Sequence, residues 1–152
     1  MDPCAEAYLY AAARADLVRR EILPRLESGR IVLCERFLDS SVAYQGAGRG
    51  LGAAAVRELN AQAIGDTTPD VTFYLKLSTE ERARRANESG VPLDRIEKIG
   101  DDFMRRVEEG FEELARSEPG RIKALDASLP PERLAEAVAA EIKRLWDGYG
   151  GV

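Results

Sequence analysis

Hydrophobic and polar residues recur along most of this 152-residue chain with the spacing of amphipathic helices. The stretch from residue 4 to residue 27 is rich in alanine and in other residues of high helix propensity, and Gly29 is expected to end that helix. Apolar residues return with helical spacing at Val56, Leu59 and Ile64. The pattern predicts helices at residues 4–27, 53–64, 79–86, 101–116 and 130–146, and a further helix that starts within residues 40–44.

Three short apolar runs between the predicted helices have the length and composition of buried strands, namely Ile31–Cys34, Val71–Leu75 and Ile122–Leu125. Strands that are separated by helices are typical of a parallel sheet with right-handed crossovers. The chain length favours a single domain over residues 1–152, which would bury about 70% of its unfolded surface. We therefore expect an α/β fold in which a parallel sheet is flanked by helices.

Composition and charge exclude several classes of protein. The formal net charge of −5 argues against a nucleic-acid polymer as partner, because proteins that bind one usually present a broad basic surface. The sequence contains no apolar stretch as long as a membrane span and no signal-peptide pattern at its amino terminus, so we expect no membrane partner. Cys4 and Cys34 are too few for a disulfide framework, which favours a cytoplasmic location.

Two absences limit the chemistry of these 152 residues. The sequence has no histidine, which excludes a histidine general base and histidine–metal chemistry. Lysine occurs at four positions only, and none of these lysines follows a glycine or precedes a serine or threonine. The phosphate-binding loop motif G-x-x-x-x-G-K-[ST] is therefore not contained in this sequence.

Residues 35–50, which follow the first predicted strand, combine an acid, an arginine, hydroxyl groups, an aromatic ring, an amide and three glycines. Parallel strands deliver such side chains at their carboxyl ends, where α/β proteins bind ligands. Each group also has a structural interpretation from spacing alone. Glu35–Arg36 would be an exposed ion pair of little energy, and residues 40–45 would be a helix cap followed by an amphipathic turn.

The order of these residues resembles that of one enzyme family. Residues 35–51, E-R-F-L-D-S-S-V-A-Y-Q-G-A-G-R-G-L, are similar to the signature D-R-[FYH]-x-x-S-x-x-A-Y-Q-G-x-G-R-G-L of bacterial thymidylate kinases. Residues 5–14, A-E-A-Y-L-Y-A-A-A-R, resemble the helix A-E-x-L-L-F-x-A-x-R of the same family. The resemblance runs to about residue 146 and implies the nucleoside monophosphate kinase fold. It also implies transfer of the γ-phosphate of ATP, with Mg²⁺, to dTMP, and a homodimer in the full-length form.

The resemblance implies an acceptor site built from both motifs. Tyr10 would stack on the thymine ring and Arg14 would hold the 5′-phosphate, for which a ring face and a guanidinium fork are suited. Gln45 would pair with the thymine edge, Tyr44 would pack under the deoxyribose, and Ser40 would lie near the phosphate. From spacing alone, Tyr10 and Arg14 could equally be a half-buried ring beside a solvated cation.

The resemblance also implies roles in the transfer step. Arg36 would bridge the donor and acceptor phosphates, and Glu35 would orient Arg36 and the hydration shell of Mg²⁺, with no direct metal ligand from the protein. The attacking oxygen belongs to an ionised phosphate and needs no strong base, in agreement with the absence of histidine. The family usually has Asp at the position of Glu35, so the extra methylene could displace the carboxylate.

A charged stretch at about residues 82–97 corresponds to the family's lid over ATP, although such a run is more often a solvated helix face. Residues 93–97 read L-D-R-I-E, as in the family, which implies that Arg95 contacts ATP and takes part in catalysis. Arg85 falls on a recurrent lid arginine. Asn87 and Ser89 stand where lid-catalysing members have basic residues, and this departure weakens the case for lid catalysis.

The third predicted strand is followed by D-A-S-L-P, residues 126–130, which resembles the family loop that borders the adenine ring. Asp126 and Ser128 are therefore candidate ATP-binding residues. The same five residues are also an ordinary capped turn between a strand and a helix.

The resemblance lacks one part of the family pattern, because members begin with a strand, a P-loop, a helix and a second strand that residues 1–152 do not contain. We therefore expect an amino-terminally truncated thymidylate kinase with no activity on its own. Two other hypotheses stay open. One is a deoxynucleoside kinase, whose motif often begins with Glu-Arg, although the Y-Q-G-x-G-R-G run and Arg14 argue against it. The other is a non-catalytic protein that binds a nucleotide or a protein partner.

Overall fold

A computed structural model describes residues 1–89 and 100–149 of the chain. It contains two parallel strands with helices packed around them, as the sequence predicts. No helix within these residues is long and apolar enough to cross a membrane. The predicted motif at residues 93–97 lies outside the described residues.

The first helical region begins at Asp2, whose carboxylate accepts from the backbone N–H groups of Cys4 and Ala5 and so caps helix α1 (Pro3–Leu17). The helix continues through a π-helical section (Val18–Ile22) into α2 (Leu23–Glu27). Pro24 accounts for the π-helical section that precedes it, because proline has no backbone N–H to donate to the preceding turn. Gly29 then takes a φ of +74°, and the helix predicted for residues 4–27 is confirmed.

The segment that carries the signature motif is also irregular. Helix α3 (Leu38–Ser41) begins two residues before the predicted start and widens into a π-helical section (Val42–Gly48), a form that is frequent at functional sites. Gly50 and Gly52 then adopt positive φ angles, which favour glycine. Helix α4 (Ala53–Ile64) follows with the predicted bounds.

Strand β1 (Thr72–Lys76) and strand β2 (Ile122–Asp126) form the parallel pair, with Thr72 opposite Ile122 and Lys76 opposite Asp126. The prediction of these two strands is confirmed to within one residue at each end. They are joined through α5 (Thr79–Ser89), three residues longer than predicted, and α6 (Asp101–Ser117). Helix α7 (Pro131–Gly148) follows β2 and has no buried residue.

The prediction of a strand at Ile31–Cys34 is wrong. These residues have no regular secondary structure and pair with no strand in the described part of the chain. A strand needs a neighbour that accepts and donates its backbone hydrogen bonds, and among residues 1–89 and 100–149 the partner of β1 is β2. The apolar side chains of this segment are correspondingly open, with Ile31 57% exposed and Leu33 79% exposed.

The hydrophobic core lies between the motif segment, α4, α6 and β2, and its most buried members include Ala43 and Val56. Two glycines allow α6 to approach the motif segment closely. A Cβ on Gly48 would lie 2.7 Å from the Phe103 ring, and a Cβ on Gly110 would lie 2.8 Å from the side chain of Ala47. Core packing therefore fixes the motif segment against α6.

Candidate functional site

The candidate site centres on the bend that precedes α3. Arg36 has a φ of +61°, in the left-handed region that residues other than glycine seldom adopt. Such a conformation costs on the order of 1–3 kcal/mol and persists only where the surrounding structure holds it. The guanidinium of Arg36 is exposed and lies 5.1 Å from the centroid of the Tyr44 ring, within the range of a cation–π contact. Within the described residues no carboxylate pairs with Arg36.

Arg14, a residue of α1, contacts this bend through its side chain. Its Nη2 donates to the Phe37 carbonyl oxygen at 3.1 Å and to the Ser41 hydroxyl at 2.8 Å, while its Nη1 donates to the Asn60 side-chain oxygen. The guanidinium also lies 5.3 Å from the centroid of the Phe37 ring. Burial lowers the pKa of Arg14, although Cys34 and Asp39 nearby act to raise it. Arg14 therefore joins three segments and is only 8% exposed.

Asn60 is the polar member of the buried face of α4, between Val56 and Ile64. It is 1% exposed, and its Nδ2 donates to the Val56 carbonyl oxygen at 2.8 Å. That bond fixes the amide so that Oδ1 faces Arg14. Asn60 was not predicted as a site residue from the sequence. A single amide among the apolar residues of a helix face indicates a buried polar contact, and Asn60 has that position in α4.

Glu6 forms a second buried link from α1 to the motif segment. Its carboxylate accepts from the Gln45 amide at 3.1 Å and from two nitrogens of Arg49 at 3.2 and 2.9 Å. Glu6 and Gln45 are each 3% exposed, so the structure places the Gln45 amide inside the protein against α1 and not on an open surface. The predicted contact of Gln45 with thymine is not tested by this arrangement. Glu6 and Arg49 were missed as site residues.

The remaining predicted acceptor residues lie on α1, on α3 and in the π-helical section that follows α3. Tyr10 is 39% exposed, one turn of helix from Arg14. Tyr44 is half-buried, with Arg36 on its ring and Phe103 and Phe111 at centroid distances of 6.2 Å each. Ser40 is half-buried and Glu35 is exposed at the bend itself. The structure therefore places Arg36 against the Tyr44 ring and Arg14 against the Phe37 ring at this bend.

A third buried link attaches α3 to the beginning of the sheet. Asp39 accepts from two nitrogens of Arg121, each at 2.7 Å, and from the Thr72 hydroxyl at 2.7 Å. Burial alone would raise the pKa of Asp39, but the hydrogen bonds from Arg121 and Thr72 outweigh it and lower the pKa below its usual value. The same pairing raises the pKa of Arg121. Neither residue was identified from the sequence.

Three of the predicted ATP-side residues, Arg85, Asp126 and Ser128, make local contacts on α5 and at the end of β2. Asp126 stands at the carboxyl end of β2 and accepts from the Ser128 backbone and hydroxyl at 2.9 and 2.7 Å, which lowers the pKa of Asp126. Arg85 lies on α5 and pairs with Glu81 at 2.8 Å. Arg95 lies outside the described residues. In residues 1–89 and 100–149, no cluster of three metal-ligating side chains is present.

Comparison with known proteins identifies the family. The family model described as thymidylate kinase matches residues 1–138. A thymidylate kinase of Chlorobium chlorochromatii is 42% identical over 151 residues, which cover 93% of this chain and 68% of that protein. A thymidylate kinase of Deinococcus radiodurans is 44% identical over 142 residues, with the same two coverages of 93% and 68%.

A solved structure agrees with these sequence matches. The thymidylate kinase of Ehrlichia chaffeensis aligns with a TM-score of 0.64 and 30% sequence identity, over 82% of this chain and 59% of that one. The chain thus spans about two thirds of the length of its curated relatives, and less of the solved structure. The matches favour a thymidylate kinase over the deoxynucleoside kinase and non-catalytic hypotheses. The chain therefore belongs to the thymidylate kinase family, whose members are phosphotransferases that use ATP to phosphorylate dTMP.

Proposed function

We propose that this chain forms the acceptor side of a thymidylate kinase, where dTMP binds and its phosphate receives the γ-phosphoryl group of ATP. The observation that carries the proposal is the state of Arg36. It is exposed, it is held in a left-handed conformation, and in the described residues no carboxylate neutralises it. A guanidinium prepared in this way can bind phosphate oxygens bidentately.

In the proposed reaction, an oxygen of the dTMP phosphate attacks the γ-phosphorus of ATP. The bond from the γ-phosphorus to the bridging oxygen breaks, and ADP leaves with the electron pair. Arg36 would contact both phosphates and offset the charge on the transferred group. The phosphate of dTMP is already ionised, so its attack needs no proton acceptor from the protein.

Mg²⁺, bound through ATP, would neutralise phosphate charge when present. Glu35 fits a role in holding it through water, because Glu35 is exposed, directly precedes Arg36 in the chain, and carries carboxylate oxygens that suit this ion. The ATP side would further involve Arg85, Arg95, Asp126 and Ser128, as the family resemblance implies.

For the nucleoside we propose that Tyr10 stacks on thymine, while Tyr44 and Ser40 border the sugar and phosphate. Arg14 would act on the 5′-phosphate from a fixed position, since three of its five N–H donors already bind Asn60, Phe37 and Ser41. Gln45 would reach the thymine edge only with its oxygen or second amide hydrogen, because Glu6 already holds its nitrogen.

The homodimer and the cytoplasmic location that the resemblance and composition imply are also proposals. Exposed apolar side chains on α1, including Tyr8 at 62% and Leu9 at 58%, provide surface that a second copy could cover. Light scattering of the purified chain measures directly whether it forms a homodimer.

Calorimetric titration with dTMP tests the acceptor role. Arg36→Ala should weaken dTMP binding about 10- to 150-fold, because a hydrogen bond to a charged group contributes roughly 1.5–3 kcal/mol. Arg30→Ala is the matched control, since Arg30 is an exposed arginine shortly before the bend, and it should leave the Kd unchanged. Absence of dTMP binding, or equal effects of the two variants, would contradict the proposal. In a parallel assay with ATP, Mg²⁺ and dTMP, we expect no ADP formation, because these 152 residues contain no P-loop.

A further inference from the structure

The left-handed backbone of Arg36 requires an explanation in terms of what holds it. On its amino-terminal side, the Cys34 thiol lies 3.8 Å from the Arg36 carbonyl oxygen, which is a weak contact. On its carboxyl-terminal side, Phe37 is held more firmly. Arg14 donates to the Phe37 carbonyl oxygen at 3.1 Å and lies against the Phe37 ring. The residue after Arg36 is therefore fixed from both its backbone and its side chain.

Arg14 can hold Phe37 only if its own guanidinium is fixed in orientation. Its stem comes from α1, and a long arginine side chain has many rotamers. Two acceptors on other segments select one of them, the Ser41 hydroxyl at 2.8 Å and the Asn60 side-chain oxygen. Ser41 moves with the bend, because it belongs to α3. Asn60 belongs to α4 and is therefore the fixed reference for this contact.

Asn60 itself has a determined orientation. Its nitrogen donates to the Val56 carbonyl oxygen on its own helix, and at 1% exposure it is shielded from water. Its oxygen must then face Arg14, and this amide oxygen is a neutral acceptor that adds no negative charge beside the arginine.

We propose that Asn60 is a positioning residue for Arg36, acting through Arg14 and Phe37. In the order of contact, Asn60 orients Arg14, Arg14 fixes Phe37, and the fixed Phe37 keeps Arg36 in its left-handed conformation over the Tyr44 ring. The functional consequence rests on the proposed role of Arg36, but the positioning itself is a property of the protein without nucleotide. The two side-chain hydrogen bonds of Asn60 go to Arg14 and to the Val56 carbonyl oxygen, and Val56 is not a proposed nucleotide contact.

The test uses the ring of Tyr44 as a reporter in the nucleotide-free chain. Protons of the Arg36 side chain that lie over this ring are shifted upfield by its ring current, and Tyr44→Leu identifies that shift by removing it. Asn60→Ala should lose most of the shift. Asn60→Asp keeps an acceptor for Arg14 but cannot donate to Val56, so it should keep the shift. Gln62→Ala, an exposed amide on the same helix, is the matched control and should change nothing.

The outcomes separate positioning from a general effect on folding. Loss of the shift in Asn60→Ala with retention in Asn60→Asp supports the proposal, and dTMP binding by Asn60→Ala should then approach the Kd of Arg36→Ala. A folded Asn60→Ala variant that keeps the shift would overturn it. Loss of the shift in Asn60→Asp as well would show that the bond to Val56, and hence helix stability, is what matters, and would also overturn it. If Asn60→Ala does not fold, Asn60→Leu keeps the side-chain volume while removing the acceptor. The shift is measured without dTMP, so failure of the proposed function leaves this result readable.

Discussion

The motif segment and the sheet margin differ sharply in how they are packed. The motif segment, residues 37–48, lies against α1, α4 and α6, and Ala43 in its centre is 0% exposed. At the sheet margin, which consists of residues 31–34, β1 and α7, Leu33 is 79% exposed and Leu75 is 54% exposed. Helix α7 has no buried residue at all. One chain thus contains a tightly packed half and an open half.

The difference shows which contacts organise the candidate site. Three buried polar links, centred on Arg14, Glu6 and Asp39, hold the motif segment to α1, α4 and the strand ends. None of these links uses a residue of the sheet margin except Thr72 at the start of β1. The arrangement of the acceptor site therefore depends on helix contacts and only weakly on how the margin is covered.

A large loss of stability is expected when the link between the motif segment and the sheet is broken. Asp39→Asn should lower the free energy of unfolding by about 3 kcal/mol, because it removes the buried carboxylate that accepts from Arg121 and Thr72 and leaves Arg121 with Glu118 as its carboxylate partner. Urea denaturation measures this change. Glu113→Gln, in a pair whose side chains are 67% and 71% exposed, is the control and should cost less than about 1 kcal/mol. Equal losses of stability in Asp39→Asn and Glu113→Gln would show that the Asp39 link contributes no more than an exposed ion pair.

The stability difference between the wild type and Asp39→Asn should depend on pH. The pKa of Asp39 is lowered in the folded protein, so its contribution to stability is present above the unfolded pKa of about 3.9. That contribution is lost as the pH falls through the lower pKa of the folded state. The difference in stability between the wild type and Asp39→Asn should therefore be constant near neutral pH and shrink below about pH 4. A difference that grew on acidification would contradict the assigned charge state.

Paired leucine substitutions test the contrast in packing itself. Leu38→Ala, at 5% exposure in the core, should cost about 2–5 kcal/mol of unfolding free energy, because it removes contacts and leaves a cavity. Leu33→Ala, at 79% exposure, should change stability by less than about 0.5 kcal/mol. If Leu33→Ala proves as costly as Leu38→Ala, the sheet margin is packed in solution, by a second copy or another chain, and the comparison fails.

A smaller effect is expected at the close contact between the motif segment and α6. Gly48→Ala should destabilise by about 1–3 kcal/mol, because its Cβ would lie 2.7 Å from both Phe103 and Val107. Gly148→Ala, at the end of α7 with no atom within 4 Å of the new Cβ, should be close to neutral. Thermal unfolding of the two variants compares them directly. A tolerated Gly48→Ala would indicate that α6 can move away without cost.

The elements that could be predicted from the sequence are those whose pattern is local. The bounds of α4 follow from its apolar spacing, and the end of the first helix follows from Gly29. The strand predicted at residues 31–34 failed because strand formation depends on a partner, and an apolar run does not show whether the partner is present.

The residues of the candidate site also divide into those that a local motif indicates and those that depend on tertiary contacts. The signature motif indicated Arg36 and Tyr44, and the helix motif at residues 5–14 indicated Arg14. In the structure Arg36 lies over the Tyr44 ring, and Arg14 lies over the ring of Phe37, the residue after Arg36. Asn60 and Arg121 could not be found in the same way, because each acts on a residue far away in the sequence, Arg14 and Asp39 respectively. Pairing of this kind depends on tertiary contacts that a local motif does not encode.

We expect dTMP to bind between Tyr10 and the Arg36 bend, and nuclear Overhauser measurements on the bound nucleotide test this most directly. Nuclear Overhauser contacts are recorded between the thymine methyl group of bound dTMP and the aromatic protons of the protein. We expect contacts to the ring of Tyr10, together with shifts of the Arg36 side-chain signals on binding. Contacts to residues of the sheet margin instead, such as Phe73 or Trp146, with unchanged Arg36 signals, would contradict it.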